Sequence, residues 1–361
     1  MDKKFFMGIA AMAALTLVSC SSDDLNSLSD NSSKNEAISF DGYCGRSAVA
    51  VNGSRGSVVD IKALQASTEG FGVFGNYSST ADGTPVYGNS LFKNQQVTYD
   101  KTKSKWTYSP LRFWPTQGHI DFLAYAPYDS QYDNIVTKDN QKLTFRVDSN
   151  IENQKDLLYA NAVGQTKESI SSKGNKVNFQ FAHALSKLGY KVKLSGDYSS
   201  NATFNLTKIT LAGSPDGTTK AFYTSGKIDL SKTNTALDLW SDYAADKQNF
   251  DWFSGTSTVT GTVLKHPSGS RAENEDYLFV IPQKFKTGTD KLYVIVTYTI
   301  TYKNDTQNPI TNTVYKQLSN DFEPGKAYMI NLTLGLPIEF DATVTDWELD
   351  TPIDCTEPWD R

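Results

Sequence analysis

Histidines, glycine-rich turns and clustered carboxylates are where catalysis or ligand chemistry would begin in this chain. His119, His183 and His266 lie far apart, and none belongs to a metal-ligand spacing. Each is expected to be a packing or surface histidine. Gly70-Phe71-Gly72-Val73-Phe74-Gly75 matches G-x-G-x-x-G letter for letter. That fingerprint needs a strand before it and a helix after it, so that phosphate meets a helix N-terminus. Asn76-Tyr77-Ser78-Ser79 follows instead, which is turn chemistry. The glycines are expected to allow close packing around Phe71, Val73 and Phe74 in a strand. Carboxylates gather at Glu273, Glu275 and Asp276, and again at Glu348, Asp350 and Asp354. A glycosidase pair is defined by separation in space, so the sequence reads these as a solvated loop and tail. Asp129, Asp133 and Asp139 lack the spacing of an EF-hand. There is no G-x-S-x-G elbow and no Walker A loop. The expectation is a chain that is not an enzyme and uses no cofactor or metal.

The scaffold has to be read from composition and periodicity. The chain has 361 residues and a net charge of -5, with 19 Phe, 19 Tyr and 6 Trp. So many rings exclude a mostly disordered chain, and the length suggests about two domains. Without a basic stripe to neutralise phosphates, nucleic acid is not an expected partner.

Lys3 and Lys4 precede an apolar run from Phe5 to Val18 that ends at Ser19-Cys20. A positive start, an apolar core and a small-residue exit form a secretory signal, too short for a membrane-spanning helix. Leu17-Val18-Ser19-Cys20 resembles a bacterial lipobox, in which the cysteine is acylated and becomes the mature N-terminus. Residues 1–19 are thus expected to be removed. Cys20 is expected to carry lipid as the only membrane anchor, and 20–36 to be a polar tether. Cys44 and Cys355 are then the remaining thiols, and an exported chain permits their pairing.

Beyond residue 36 apolar residues alternate with period two. Leu292, Val294, Val296, Tyr298, Ile300 and Tyr302 share one face, and Tyr328, Ile330, Leu332, Leu334 and Leu336 repeat the pattern. Only a strand keeps such a set together. Further strands are expected at 37–43, 71–77, 119–126, 142–147, 177–181, 204–212, 220–230, 256–265 and 276–282. Turn signals such as Pro215-Asp216-Gly217 and Glu323-Pro324-Gly325 separate them. With no interleaved amphipathic helices, the fold class is all-β, as antiparallel β-sandwiches. The polar stretch from Gly164 to Lys176 divides the body into domains at 37–168 and 169–361.

Five stretches together resemble the fimbrillin family of Bacteroidetes, the subunits of type V pili. They are Trp114-Pro115 with Ile120–Pro127, Asp156–Ala160, Phe179–Leu188, Gly325–Tyr328 with the strand behind it, and Val344-Thr345-Asp346-Trp347. Ser21-Ser22-Asp23-Asp24 also resembles surface-export signals on lipoproteins of that phylum. The resemblance implies two transthyretin-like β-sandwich domains in tandem, export to the outer membrane as a lipoprotein, and trimming by an arginine-specific protease after the first strand. Removal of that strand would open a groove, which a C-terminal segment of the next subunit would fill.

Carried onto this sequence, the first strand is 37–43, with Ile38 and Phe40 on one face. Arg46 and Arg55 are the candidate cleavage positions, set in Gly- and Ser-rich sequence. The candidate donor segment is 337–361, with Ile338, Phe340, Val344 and Trp347. The bland alternative is that this segment completes its own sheet. Implied partners are other pilus subunits, the outer membrane through lipid, and host or bacterial surface ligands. The residues leave open a stalk, tip or anchor role. The competing reading is a surface lipoprotein that binds glycans through exposed aromatics. Burial of Trp114, Trp240 and Trp252 would favour the first reading.

Overall fold

The computed structural model describes residues 36–44, 60–80, 83–133, 135–233, 238–268, 272, 276–336 and 341–346. The strands up to His183 are β1 (Phe40–Cys44), β2 (Phe71–Ser78), β3 (Ser90–Asp100), β4 (Lys105–Thr107), β5 (His119–Ala126), β6 (Lys142–Arg146), β7 (Leu158–Gln165) and β8 (Val177–His183). Next come β9 (Ser186–Leu194), β10 (Ala202–Ala212), β11 (Phe222–Tyr223), β12 (Ser225–Asp229), β13 (Trp240–Ser241), β14 (Lys247–Gln248) and β15 (Phe250–Val259). The last are β16 (Leu278–Val280), β17 (Gln283–Lys284), β18 (Leu292–Tyr302), β19 (Asp305–Leu318), β20 (Asp321–Phe322), β21 (Ala327–Leu334) and β22 (Asp341–Asp346). Two short helices interrupt them, α1 (Ile61–Ala66) and α2 (Lys167–Ile170). The chain is all-β.

One seven-stranded sheet runs in the order β1-β8-β7-β5-β2-β3-β4. It curls until its two ends meet. Just beyond β4, the Tyr108 hydroxyl donates to the Ile38 carbonyl at 2.7 Å, and Ala37 bridges Phe113. Inside the curl lies a compact core of Phe40, Phe71, Phe92, Phe122, Phe179 and Phe181 with Trp106 and Trp114. Rings within van der Waals reach of one another can fill such a space without a polar group.

Two four-stranded sheets, β15-β10-β18-β19 and β16-β9-β21-β22, enclose a second, larger core. Phe204, Leu206 and Ile209 of β10 and Val294, Val296 and Tyr298 of β18 supply one layer. Leu188, Tyr190 and Val192 of β9 and Ile330 and Leu332 of β21 supply the other. That core continues onto the outer face of the first sheet, where Phe74, Leu123, Tyr125, Leu157 and Tyr159 join it. β5 is therefore buried on both faces, which is why His119–Ala126 reads as a nearly unbroken apolar run.

Some details differ from expectation. Most ladders are antiparallel, but β1 runs parallel to β8 and β21 parallel to β9. Residues 164–176 form a polar turn with α2, after which β8 returns to pair with β7 and β1 in the first sheet. The strand expected at 256–265 lies at Phe250–Val259, ending before Gly261, whose φ of +75° turns the chain. Phe71–Gly75 are strand, as expected, but β2 continues through Ser78, so Asn76, Tyr77 and Ser78 are strand residues and not the turn expected there. A methyl added at Gly72 would sit 2.4 Å from the Tyr125 ring, and one at Gly75 would sit 2.6 Å from the Phe92 ring.

Candidate functional site

The candidate site is the edge strand that closes the first sheet. Among the described residues β1 pairs only with β8, in the register Phe40↔Val177, Asp41↔Asn178 and Gly42↔Phe179. On its other side the preceding residues reach across the curl, where the Ile38 N–H donates to the Arg112 carbonyl at 2.8 Å. The segment is thus one stave between β8 and the 108–113 loop. Alternation sends Ile38 and Phe40 inward, where they are 1% and 2% exposed. The Phe40 ring meets Phe92, Tyr108, Phe122 and Phe179 with centroids 5.4–5.7 Å away. Gly42 follows on the same face, where an added methyl would lie 3.3 Å from the Phe181 ring and 3.6 Å from Ile61 of α1, a tight but not closed space.

Polar contacts hold the outer face. The Ser39 hydroxyl donates to the Asn175 carbonyl at 2.8 Å, and Lys176 pairs with Asp41 at 3.3 Å. After β1 the described chain resumes at Asp60, whose carboxylate caps α1 by accepting from the Ala63 N–H at 2.6 Å. The cap fixes the start of α1, and α1 buries Leu64 in the first core. Without residues 37–44, the Phe92, Phe122 and Phe179 rings would lose the partner they share, and the β8 edge would be left unpaired.

At the other end, β22 lies antiparallel on β21, pairing Ile330↔Val344 and Leu332↔Ala342. Val344 is 3% exposed and Ala342 is buried beside it, both in the second core. The bland alternative for residues 341–346 is what this structure contains. Cys20, Arg46, Arg55, Ile338, Phe340 and Trp347 lie outside the described residues.

Trp114, Trp240 and Trp252 are all buried. The indole N–H groups of Trp240 and Trp252 donate to the carbonyls of Ala184 (2.8 Å) and Asp276 (2.9 Å). None of the three offers a flat ring to solvent. The histidines have partners that the sequence did not suggest. His119 lies 3.2 Å from Asp121, His183 lies 2.7 Å from Asp156, and His266 lies 3.2 Å from Asp276. Asp121 also accepts from the Val86 and Gly164 N–H groups, each at 2.8 Å, so it clips a loop and a strand end to β5. The His119–Asp121 pair is buried, and His183 and His266 are half-buried beside buried carboxylates. Among the described residues no group of three or more His, Cys, Asp or Glu side chains is placed to hold a metal ion. No described helix is long and apolar enough to cross a membrane. Sequence reading also missed Tyr108 and the 112–113 segment, because nothing local marks a loop as the far wall of a groove.

The fimbrium subunit Fim1C of Phocaeicola vulgatus is 27% identical over 386 residues, covering 96% of this chain and 97% of its own. The crystal structure of a fimbrial protein from Bacteroides vulgatus has the same fold, with a TM-score of 0.63 and 20% identity. It is matched over its whole length by 87% of this chain. The sequence model described as fimbrillin-like matches residues 59–347, most of the body that carries both cores, and the chain belongs to that family.

Proposed function

We propose that this chain is a structural subunit of a surface fimbrium that is exported as a lipoprotein and assembled by exchange of strands between copies. Cys20 carries the lipid and 20–36 tethers the body. Cleavage after Arg46 or Arg55 releases the first strand. The groove between β8 and the 108–113 loop then takes a strand from the 337–361 segment of the next subunit. We place the junction between the two sandwiches just after His183.

One observation carries this reading. Among the described residues β1 is an edge strand with a single ladder, yet Phe40 in it and Ile38 just before it plug a core, and two arginines follow in sequence. A strand in that position can be replaced by any other that supplies the same edge hydrogen bonds and fills the same pockets. Burial of the three tryptophans favours this reading over glycan recognition by exposed rings.

The test is arginine-specific proteolysis of purified protein followed by electron microscopy. Trimmed parent is expected to form fibres, and an Arg46→Ala, Arg55→Ala double variant to remain monomeric under the same treatment. Monomers from fully trimmed parent would sink the proposal. Fatty-acid labelling that survives Cys20→Ala would place the anchor elsewhere.

A further inference from the structure

The chain contains its own replacement for the first strand. Ile38-Ser39-Phe40-Asp41-Gly42 and Ile338-Glu339-Phe340-Asp341-Ala342 share the pattern I-x-F-D-small, and I-x-F-D occurs nowhere else in the sequence. We infer that residues 338–342 of a second copy enter the groove in the register of residues 38–42, parallel to β8. Ile338 then stands at Ile38, Phe340 at Phe40, Asp341 at Asp41 and Ala342 at Gly42. This inference rests on the strand-exchange reading above and adds to it the register, the direction and the residues that grip.

Each position can be checked against the groove. The Phe40 site is a ring-lined pocket, with Phe92, Phe122 and Phe179 at 5.5–5.7 Å, so a phenylalanine fits it and an aliphatic side chain would leave a void. Asp341 would meet Lys176, which now holds Asp41 at 3.3 Å. The Gly42 site admits one methyl, 3.3 Å from the edge of the Phe181 ring, if the ring gives by a few tenths of an ångström. Alanine is the only larger residue that closely fits there, and position 342 is alanine. At the mouth, the bond to the Arg112 carbonyl comes from the Ile38 N–H, a donor that Ile338 also has, so Pro337 takes nothing from it. The parity agrees too. Ala342 and Val344 are the inward residues of β22, and in the sequence Ile338 and Phe340 precede them at the same spacing of two. The exchange therefore moves β22 from β21 to the neighbour while Ala342 and Val344 keep their inward face.

Crosslinking reads the register directly. Asp41 faces Asn178 across the β1–β8 ladder, and both are on the outer face, so cysteines there disturb neither core. Adjacent strands are about 4.8 Å apart, within the reach of a disulfide. With Cys20, Cys44 and Cys355 changed to serine, chains carrying Asn178→Cys are mixed with chains carrying Glu339→Cys, Asp341→Cys or Thr343→Cys. The mixtures are trimmed, assembled and mildly oxidised. The Asp341→Cys mixture is expected to give a covalent heterodimer at least about tenfold above the other two, a difference of about 1.4 kcal/mol in pairing preference. Dominant crosslinking at 339 or 343, or none at any of the three in fibres that do form, overturns the register and leaves strand exchange standing. If deletion of 337–361 leaves fibre formation intact, strand exchange itself fails, and this inference with it.

Discussion

The two cores close in different ways. Among the described residues the first holds six buried phenylalanines and two tryptophans but no buried tyrosine, and has β1 as its last wall. The indole nitrogens of Trp106 and Trp114 have no hydrogen-bond partner in it. The second core buries tyrosines and tryptophans whose polar ends are tied down. Tyr298 donates to the Gly335 carbonyl at 2.9 Å, Tyr125 to Asn94 at 2.7 Å, and Trp252 to the Asp276 carbonyl. Directional bonds specify one arrangement, because a mispositioned donor is left unsatisfied. A ring-packed core tolerates a substitute that brings the same shape. Strand replacement belongs in the first kind of core, and the directional bonds of the second lie outside β22, so they hold that core when β22 leaves β21 for a neighbour.

The sharpest way to break this contrast is to truncate the residue that plugs each core. Phe40→Ala should lower unfolding stability by about 3–5 kcal/mol, since the ring is fully enclosed by other rings. Val344→Ala in β22 removes two methyl groups and should cost roughly 1.5 kcal/mol. Urea unfolding of the untrimmed protein measures both. Equal costs would mean that the first core is no more dependent on its edge strand than the second.

Next in size is the effect of indole hydrogen bonding. Trp114→Phe and Trp252→Phe lose similar volume, but only the second strands a buried carbonyl, at Asp276. Trp252→Phe should therefore cost about 1–2 kcal/mol more than Trp114→Phe. Similar values would mean that the directional bonds of the second core contribute nothing measurable.

Much of this contrast was legible beforehand, and the gaps have physical causes. Ile38 and Phe40 stood out because alternation survives wherever one face of a strand is buried. Their partner did not, because a parallel ladder to β8, more than 130 residues away in sequence, leaves no local trace. β19 was invisible since Asp305–Leu318 is an edge strand exposed along most of its length, so its residues need not alternate. β3 was hidden by Lys93-Asn94-Gln95-Gln96 at an irregularity where Asn94 takes a φ of +51°. Asn94 is nonetheless buried, for its side chain bonds Tyr125 and Asp133. A polar turn such as 164–176 marks only a change of direction, and the chain crosses back once more as β8 before leaving the first sheet.

Alkaline titration sharpens the same comparison by a smaller effect. Burial pushes the Tyr159 hydroxyl up to about 12, and burial with nearby Asp129 raises Tyr132 to about 12. Tyr125 moves in the same direction, again through burial. In the unfolded chain these hydroxyls ionise near the ordinary value of 10. Between about pH 10 and 12 the unfolded state therefore loses protons that the folded state retains. Stability is fully present below pH 10 and falls as pH rises through that window. The urea midpoint should decline over this range, and Tyr159→Phe should flatten the decline. A phenylalanine change in the first core, such as Phe92→Leu, should lower the whole curve without altering its slope.

The smallest expected effect concerns the outer face of β1. Lys176 and Asp41 form the ion pair of that strand, but their side chains are 42% and 45% exposed. Water screens such a pair, and ordering two side chains offsets much of the attraction, so exposed pairs contribute about 0–1 kcal/mol. Lys176→Ala and Asp41→Asn should each fall within that range in the untrimmed protein, and the loss should shrink further at high salt. The comparison with Phe40→Ala is then within one strand: the inward residue fixes β1 in place and the outward pair sets only its alignment. If Lys176→Ala instead costs as much as Phe40→Ala, electrostatics rather than ring packing holds the strand. A replacement would then be selected by its Asp341 more than by its Phe340, and the crosslinking register would survive Phe340→Ala while failing in Lys176→Ala.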